Sequence, residues 1–209
     1  MPPPKEIEIK FLVASPATLE RKLAAVGFHR VTPSTHESNT LYDLSGQKLR
    51  WSGQLLRLRK YGDAWLLTHK SRAQVGKHKA RFEIETPVGD GPQMDGILRA
   101  LGYQPVFVYE KYRSEWTDGR GHVVLDQTPI GDFAEIEGTP RWIDSTAKAL
   151  DVDRESYVTK SYAELFFEWK RRYKRKAMNM TFRECRGLAK TARNSTRQSS
   201  AEAEAGSGV

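Results

Sequence analysis

The chain has 209 residues, of which 38% are hydrophobic and 29% are charged, and its formal net charge is +8. This length suits one well-buried domain or at most two small ones. No apolar run approaches the roughly 20 residues of a membrane span, and the N-terminal Met1-Pro2-Pro3-Pro4-Lys5 lacks the apolar stretch of a signal peptide, so we expect a cytoplasmic protein without membrane contact.

The cysteine count, the histidine spacing and the distribution of charge narrow the possible classes of protein and of metal site. The only cysteine is Cys185, which excludes an internal disulfide framework and a multi-thiolate metal site within one chain. The five histidines show no zinc-type pairing, so any metal should be a hard ion held by carboxylates, hence Mg²⁺ or Mn²⁺. Residues 168–209 hold 11 of the 34 basic residues but 4 of the 26 acidic ones, so the body of the chain is nearly neutral.

The first half of the chain predicts strands with two helices between them. Ser15-Pro16 begins a helix that ends at Gly27, because serine is a preferred N-cap and proline suits the first turn. A second helix begins at Pro92 and ends at Gly102 in the same way. The order of strand, helix and glycine at 6–27 thus recurs at 81–103, which suggests an internal duplication of one β–α unit. The predicted strands are 6–13, 38–43, 54–60, 64–71 and 81–86, and the helices are 15–27 and 92–102.

The second half predicts more strands and then a basic C-terminal segment. Strands are predicted at 105–116, 121–127 and 132–138, followed by a short helix at 144–150. Ser161 to Glu164 fits a capping box, so a helix over 162–169 is expected to run on through 170–176. From about Met178 the chain is polar and basic, which predicts disorder. We therefore divide the chain into a folded domain, 1–169, and a basic, largely disordered tail, 170–209.

The predicted strands alternate charged and apolar residues, and like charges occur in blocks. Glu-Ile-Glu appears three times, at 6–8, 83–85 and 135–137. Two glutamates on one face of a strand lie about 6.6 Å apart and repel by roughly 2–3 kcal/mol at an effective dielectric of about 20. The charged face carries seven cations (Lys10, Arg57, Arg59, Lys70, Arg81, Lys111, Arg113) and seven anions (Glu6, Glu8, Glu83, Glu85, Asp126, Glu135, Glu137).

Two architectures fit this alternation. An antiparallel sheet with one wet face is the simpler interpretation, and the pattern alone favours it. The blocks of like charge favour the other, a sheet curled into a barrel with its apolar side outward under the helices 15–27, 92–102 and 162–169. Blocks of cations suit phosphate oxygens, and blocks of carboxylates suit a divalent metal.

Several motifs together resemble the CYTH superfamily, also called triphosphate tunnel metalloenzymes, over about residues 5–168. The opening strand carries Glu6-x-Glu8-x-Lys10, and further motifs follow in the family's order. They are Arg57-x-Arg59, Lys70, Arg81-x-Glu83-x-Glu85, Glu110-Lys111-x-Arg113, Val124-x-Asp126, Gly131-x-Phe133-x-Glu135-x-Glu137-Gly138 and Lys160-Ser161-Tyr162. The resemblance implies an α+β fold, a closed eight-stranded antiparallel β-barrel with helices packed outside, whose interior binds a triphosphate and one or two divalent cations.

The resemblance also implies roles for individual residues. Lys10 would position or deprotonate the nucleophile, provided that Lys70 or a nearby arginine lowers its pKa. Lys77 and Lys79 are weaker candidates for a lid, and salt bridges inside the tunnel are the alternative role for the glutamates. Phosphate would be bound by Lys10, Arg57, Arg59, Lys70, Arg81, Lys111, Arg113 and Lys160, the metal by Glu6, Glu8, Asp126, Glu135 and Glu137, with Glu83 and Glu85 in support.

Within the family, the sequence resembles the bacterial class IV adenylyl cyclases and the thiamine and inorganic triphosphatases. Attack by water on the terminal phosphorus would make the protein a triphosphatase, which we favour. Attack by a ribose hydroxyl on the α-phosphorus would convert ATP to cyclic AMP and pyrophosphate. A non-catalytic polyphosphate or nucleotide binder is the alternative from another class. The expected partner is inorganic triphosphate, thiamine triphosphate or ATP, with weak nucleic-acid or polyphosphate contact through the tail, in a monomer or homodimer.

Overall fold

The computed structural model describes residues 5–185 as nine strands and five helices. A 3₁₀ turn at Arg154–Ser156 precedes the last helix. The elements in chain order are β1 Lys5–Leu12, α1 Pro16–Ala25, β2 His29–Asp43, α2 Lys48–Trp51, β3 Leu55–Tyr61, β4 Ala64–Lys70, β5 Gln74–Val75, β6 Lys79–Val88, α3 Gly91–Ala100, β7 Gln104–Thr117, β8 His122–Thr128, β9 Gly131–Glu137, α4 Pro140–Ala149 and α5 Tyr162–Arg172.

Eight of the strands close into an antiparallel barrel. Their order is β1-β9-β8-β7-β2-β3-β4-β6, and β6 pairs back onto β1, while the short β5 adds to β6. The closing pairing joins only four residue pairs, from Lys5 opposite Phe82 to Glu8 opposite Lys79. The predicted fold, an α+β closed eight-stranded barrel with external helices, is confirmed.

The outer surface of the barrel is apolar, and helices cover it in two places. Ile9, Val123 and Ile136 belong to a core cluster with residues of α1 and α4, among them Leu23 and Ile143. A smaller cluster on β2, β3 and β4 packs beneath α3, where Leu58 and Leu98 are both buried. Side chains on a strand alternate between its two faces, so this covering turns the charged residues toward the barrel axis.

The last helix, α5, packs differently from the prediction. The sequence placed a helix at 162–169 on the outer surface with the others. Instead, Tyr162 and Phe166 pack against Phe107 of β7 and Phe133 of β9, which share the inward faces of their strands with Lys111 and Glu135. One end of the barrel interior is therefore apolar, and α5 closes it.

Several predicted boundaries were wrong. The helix predicted at 144–150 begins at Pro140, and its first turn buries Trp142 and Ile143. The helix expected to run through Lys176 ends at Arg172, because Lys174 adopts a left-handed conformation with φ of 48°. Strand β2 begins nine residues before the predicted position 38, and β5 and α2 were not predicted.

The segment predicted to be disordered from Met178 is ordered as far as Cys185. Met180 is fully buried and forms a β-bridge with Tyr109. The remainder of the predicted tail, 186–209, lies outside the described residues, so the division into two domains stays a prediction. Across residues 5–185, no helix is both long enough and apolar enough to span a bilayer.

Candidate active site in the barrel interior

A cavity of about 510 Å³ lies inside the barrel and is lined mainly by charged side chains. Because inward residues recur at every second position of a strand, the motifs on β1, β3, β6, β7 and β9 each contribute two or three of them. The cationic lining residues are Lys10, Arg57, Arg59, Lys70, Lys79, Arg81, Lys111 and Arg113, and the acidic ones are Glu6, Glu8, Glu83, Glu85, Glu115, Glu135 and Glu137.

Carboxylates gather where β1 meets β9. In the register of these strands, Glu8 lies opposite Glu137 and Lys10 lies opposite Glu135. Burial and the neighbouring Glu6, Glu8 and Glu135 raise the pKa of Glu137 to about 7. Like charges placed directly opposite each other repel, so this rim of the cavity favours a cation.

The other glutamates at this rim are paired with lysine or arginine. Glu6 contacts Lys70 Nζ at 2.7 Å and Arg81 Nε at 3.0 Å. Burial alone would raise the pKa of Glu6, but these two cations lower it to about 2. Glu8 pairs with Lys79 at 2.9 Å. Since each pairing turns an oxygen toward a cation, the rim carboxylates are held apart.

Lys10 sits at the inner end of this rim. It pairs with Glu135 at 3.2 Å, donates a hydrogen bond to the Lys160 carbonyl at 3.2 Å and lies 4.2 Å from the Tyr162 ring centroid. Burial by itself would lower the pKa of Lys10, but Glu135 and Glu8 outweigh it and raise the pKa. This direction is opposite to the lowering that a role as general base would need, and the catalytic role of Lys10 stays a prediction.

On the opposite wall, arginines from β3 meet glutamates from β6. Arg59 pairs with Glu85 at 2.8 Å, and Arg57 approaches Glu85 at 3.4 Å and Glu83 at 4.0 Å. Thr68 donates a hydrogen bond of 2.6 Å to Glu85. Glu83 also contacts Lys70 at 2.6 Å, so this glutamate pair orients three of the predicted phosphate-binding cations.

Asp126 lies behind the cavity wall. It is fully buried and accepts contacts from Lys111 at 2.9 Å, Arg113 at 2.6 Å and the Tyr162 hydroxyl at 2.7 Å. Arg113 also reaches Glu135 at 2.8 Å. The sequence grouped Asp126 with the metal ligands, but its contacts here are those of a residue that orients Lys111 and Arg113.

Lys160 is the one predicted phosphate-binding residue whose side chain lies away from the cavity. Its ammonium group pairs with Glu168 of α5 at 2.7 Å, and its side chain is about half exposed. The backbone carbonyl of Lys160 still contacts Lys10. Thus the structure brings together the other seven predicted cations and leaves this one at the surface.

Sequence reasoning missed Glu37, an acid that is as fully buried as Asp126. It lies between Lys111 at 3.4 Å, Arg59 at 3.5 Å and Arg113 at 3.9 Å, and Asn39 donates a hydrogen bond to it at 2.9 Å. Glu37 precedes the predicted start of its strand, in a polar stretch where alternation of apolar residues is not visible. Its position two residues before Asn39 and four before Leu41 was the available signal.

Lys79 was also underestimated. The sequence offered Lys77 and Lys79 only as weak candidates for a lid, yet Lys79 lines the cavity and pairs with Glu8. Lys77 instead pairs with Asp144 of α4 at 2.6 Å, outside the cavity. These two lysines therefore have different surroundings despite being two residues apart.

The residues present suit an anion together with a hard cation. The buried Nε atoms of Arg57 and Arg59 have no hydrogen-bond partner within residues 5–185, so both guanidinium groups retain donor capacity. Within the same range, Glu137 has no ion pair closer than 4.0 Å, and its oxygen donors are of the kind that Mg²⁺ and Mn²⁺ prefer. As they are arranged, no three His, Cys, Asp or Glu side chains of the described chain converge as a metal site. The metal-ligand assignment therefore stays a prediction.

Comparison with known proteins gives one family. The family model described as CYTH domain matches residues 4–162. A Methanocaldococcus jannaschii protein named "Putative adenylate cyclase" is 23% identical over an alignment of 171 residues, which covers 77% of this chain and 97% of that protein.

Solved structures match the fold over the same share of the chain. A Vibrio parahaemolyticus structure described as a "putative adenylate cyclase" is 20% identical with a TM-score of 0.68, covering 78% of this chain and 97% of that one. A Hippeastrum structure, described as a "putative adenylyl cyclase" that reveals a dominant triphosphatase activity, is 20% identical with a TM-score of 0.60, covering 78% and 95%.

Proposed function

This chain belongs to the CYTH domain family, and on that premise we propose that it is a divalent-metal-dependent enzyme that acts on a triphosphate inside the barrel. The observation that carries the proposal is the cavity lining, in which eight lysine and arginine residues surround one space of about 510 Å³. Arginine forks and lysine ammonium groups are the donors that phosphate oxygens require.

The charge balance of the lining supports binding of the metal and the phosphate together. Eight cations are matched by seven lining glutamates and by the buried Glu37 and Asp126. A triphosphate carries about four negative charges, which this nearly balanced set cannot neutralise alone. A bound Mg²⁺ or Mn²⁺ would supply the missing positive charge at the phosphate oxygens. Glu6, Glu8, Glu135 and Glu137 are the residues that we propose would hold it.

The chain's own residues would position the phosphates for attack. Lys111 and Arg113, which Asp126 and Glu37 orient, would bind one end of the triphosphate. Arg57 and Arg59, which Glu85 orients, would bind the triphosphate from the opposite wall. Glu135 and Glu8 raise the pKa of Lys10, which favours the charged ammonium, so its role would be to hold an oxygen rather than to remove a proton.

We favour hydrolysis of inorganic or organic triphosphate as the reaction. Triphosphate hydrolysis needs positioning and charge neutralisation, and this lining together with the proposed metal ion would supply both. Cyclisation of ATP would in addition require recognition of the adenosine half. The names of the Methanocaldococcus and Vibrio relatives keep adenylyl cyclase as the second candidate.

Product analysis tests the proposal. The purified chain would be incubated with ATP, inorganic triphosphate or thiamine triphosphate in the presence of Mg²⁺ or Mn²⁺, and the products separated by anion exchange. Orthophosphate released from inorganic or thiamine triphosphate is the expected result. Cyclic AMP with pyrophosphate from ATP would instead establish a cyclase.

Two matched variants test whether turnover and metal binding take place in the cavity. Glu137→Gln removes one carboxylate charge at the rim and is expected to reduce turnover at least tenfold and to weaken the affinity for Mn²⁺. Glu155→Gln makes the same change at an exposed residue of the 3₁₀ turn and should leave both unchanged. Tight binding of a triphosphate without turnover of any substrate would leave only a binding module.

A further inference from the structure

The wall of the barrel is incomplete on one edge of β7. Strand β7 pairs with β2 from Gln104 to Thr117, but β8 pairs only with residues 112–117. The N-terminal half of β7, where Tyr109 lies, therefore has no β8 partner along its second edge. An unpaired strand edge leaves backbone N–H and C=O groups to be satisfied by some other segment.

The segment Met178–Cys185 fills this edge, and we name it the clasp. Its backbone bonds to β7 in both directions, from Met180 N to Val108 O at 3.0 Å and from Glu110 N to Met180 O at 2.9 Å. Side chains add two further bonds, from Val108 N to Asn179 Oδ1 and from Phe182 N to Glu110 Oε2, each 2.9 Å. The clasp thus acts as a short additional strand on β7.

The clasp also has hydrogen bonds within itself. Glu184 accepts hydrogen bonds from Met178 N at 2.7 Å, from Asn179 N at 3.0 Å and from Asn179 Nδ2 at 3.1 Å. These bonds fix the turn that presents Met180 to β7. Met180 is fully buried among the aromatic residues that close the end of the barrel.

A chain of contacts joins the clasp to the cavity. Met180 shares its cluster with Tyr109 and Tyr162. Tyr109 accepts a hydrogen bond of 3.4 Å from Arg57 Nη1, and its ring lies 6.1 Å from that of Tyr162. Tyr162 in turn donates to Asp126, which holds the cavity lysine and arginine of β7. Tyr109 is therefore the residue that connects Met180 of the clasp with Arg57 of the cationic lining.

We propose that the clasp is a positioning element of the tunnel, which fixes Tyr109 and through it the guanidinium group of Arg57 for binding of a triphosphate. The clasp lies beyond the family match, which ends at residue 162. This inference rests on the proposed function for its ligand, but the positioning of Arg57 can be measured without it.

The first experiment measures hydrogen exchange in the full-length protein. Met180→Ala should speed exchange in the β3 peptide over 55–61, which contains Arg57, as well as in β7. Met180→Leu restores the buried volume and should return both to the wild-type rate. Arg183→Ala alters an exposed residue of the same segment and serves as the control. Faster exchange in β7 alone, with β3 unchanged, would overturn the positioning role whether or not the wild type binds triphosphate.

The second experiment concerns affinity, with inorganic triphosphate and Mn²⁺ as the probe. Met180→Ala is expected to raise the Kd about five- to tenfold, within the roughly 2- to 12-fold that one ordinary hydrogen bond contributes, because the bond from Arg57 to Tyr109 is long at 3.4 Å. Tyr109→Phe removes the hydroxyl that meets Arg57 and should raise the Kd by a similar factor. If the clasp acts through this hydroxyl, the double variant will be no weaker than either single variant. Additive losses would contradict the proposed route. Absence of binding by the wild type would refute the proposed function, and the exchange result would then decide the positioning role alone.

Discussion

Replacing Glu37 by glutamine should destabilise the protein while preserving the shape of its core. Glu37 is fully buried and lies 3.4 Å from Lys111, 3.5 Å from Arg59 and 3.9 Å from Arg113. At an effective dielectric of about 20, each of these contacts is worth roughly 4–5 kcal/mol before the cost of desolvation. Removing one partner of such a buried network costs about 3–5 kcal/mol, because the remaining charges stay buried.

We expect the lower end of that range for Glu37→Gln. Glutamine fills the same volume, and its carbonyl oxygen can still accept the hydrogen bond that Asn39 donates to Glu37. A loss of about 3 kcal/mol corresponds to a Tm roughly 6–12 °C lower for a chain of this size. The assay is urea unfolding followed by tryptophan fluorescence, with Glu155→Gln as the exposed control.

The pH dependence sharpens this prediction. Burial by itself would raise the pKa of Glu37, but Lys111 and Arg113 outweigh it and hold the pKa well below its usual value. A carboxylate with a depressed folded pKa contributes stability that is present above its unfolded pKa of about 4.3 and is lost only as the pH falls below it. The stability difference between wild type and variant should therefore be constant from pH 5 to pH 8. A loss below about 1 kcal/mol, or a difference that changes within this window, would refute the reasoning.

Three further perturbations test the packing. Gly121→Ala should destabilise the protein by about 1–3 kcal/mol, because the new Cβ would lie 2.4 Å from the ring of Trp142. Gly96→Ala in α3 meets open space and should stabilise the protein by about 0.5–1 kcal/mol. Urea unfolding compares the two variants, and an equal effect on stability would contradict this account. Asp43→Ala should lower the free energy of unfolding by about 2 kcal/mol in the same assay, because the carboxylate accepts hydrogen bonds from three backbone N–H groups around the start of α2. A change within about 0.5 kcal/mol, which is typical of surface substitutions, would show that these N–H groups find other partners. Cys185 should react with iodoacetamide at pH 8 far more slowly in the native protein than in urea, because burial raises the pKa of its thiol to about 11; equal rates would exclude its packing in the clasp.

The sequence predicted the charged faces of the strands because alternation is a local property, whereas the closed barrel was implied by the blocks of like charge and by the family resemblance. Glu-Ile-Glu and Arg-x-Arg place charge on one face of a strand wherever that strand lies, and apolar residues on the other. Ile9 and Ile136 are buried beneath helices, whereas Ile84 of the same kind of motif is 55% exposed, so burial of the apolar face depends on what packs against it. Boundaries were less accurate where the local pattern is weak, as before Glu37, where β2 has register shifts and a run of polar residues.

Pairing partners depend on register, which no single strand encodes. The sequence offered Asp126 as a metal ligand, but the β7–β8 register sets it opposite Arg113, and α5 brings Tyr162 to it. The pKa of Lys10 was expected to fall near other cations, yet the β1–β9 register sets Glu135 opposite it. The sequence showed which residues carry charge, but it did not show which other charges each of them would contact.

The clasp shows the same distinction at the level of a segment. Composition after Met178 is polar and basic, which is the signature of a chain that cannot build a core of its own. Met180 is nevertheless buried, because β7 offers an unpaired edge beside an aromatic cluster contributed by distant parts of the chain. The sequence by itself determined which faces are charged and which are apolar, since alternation acts over two residues. Tertiary structure alone decided which charges meet and which segment completes the wall, since those contacts join residues up to about 150 positions apart.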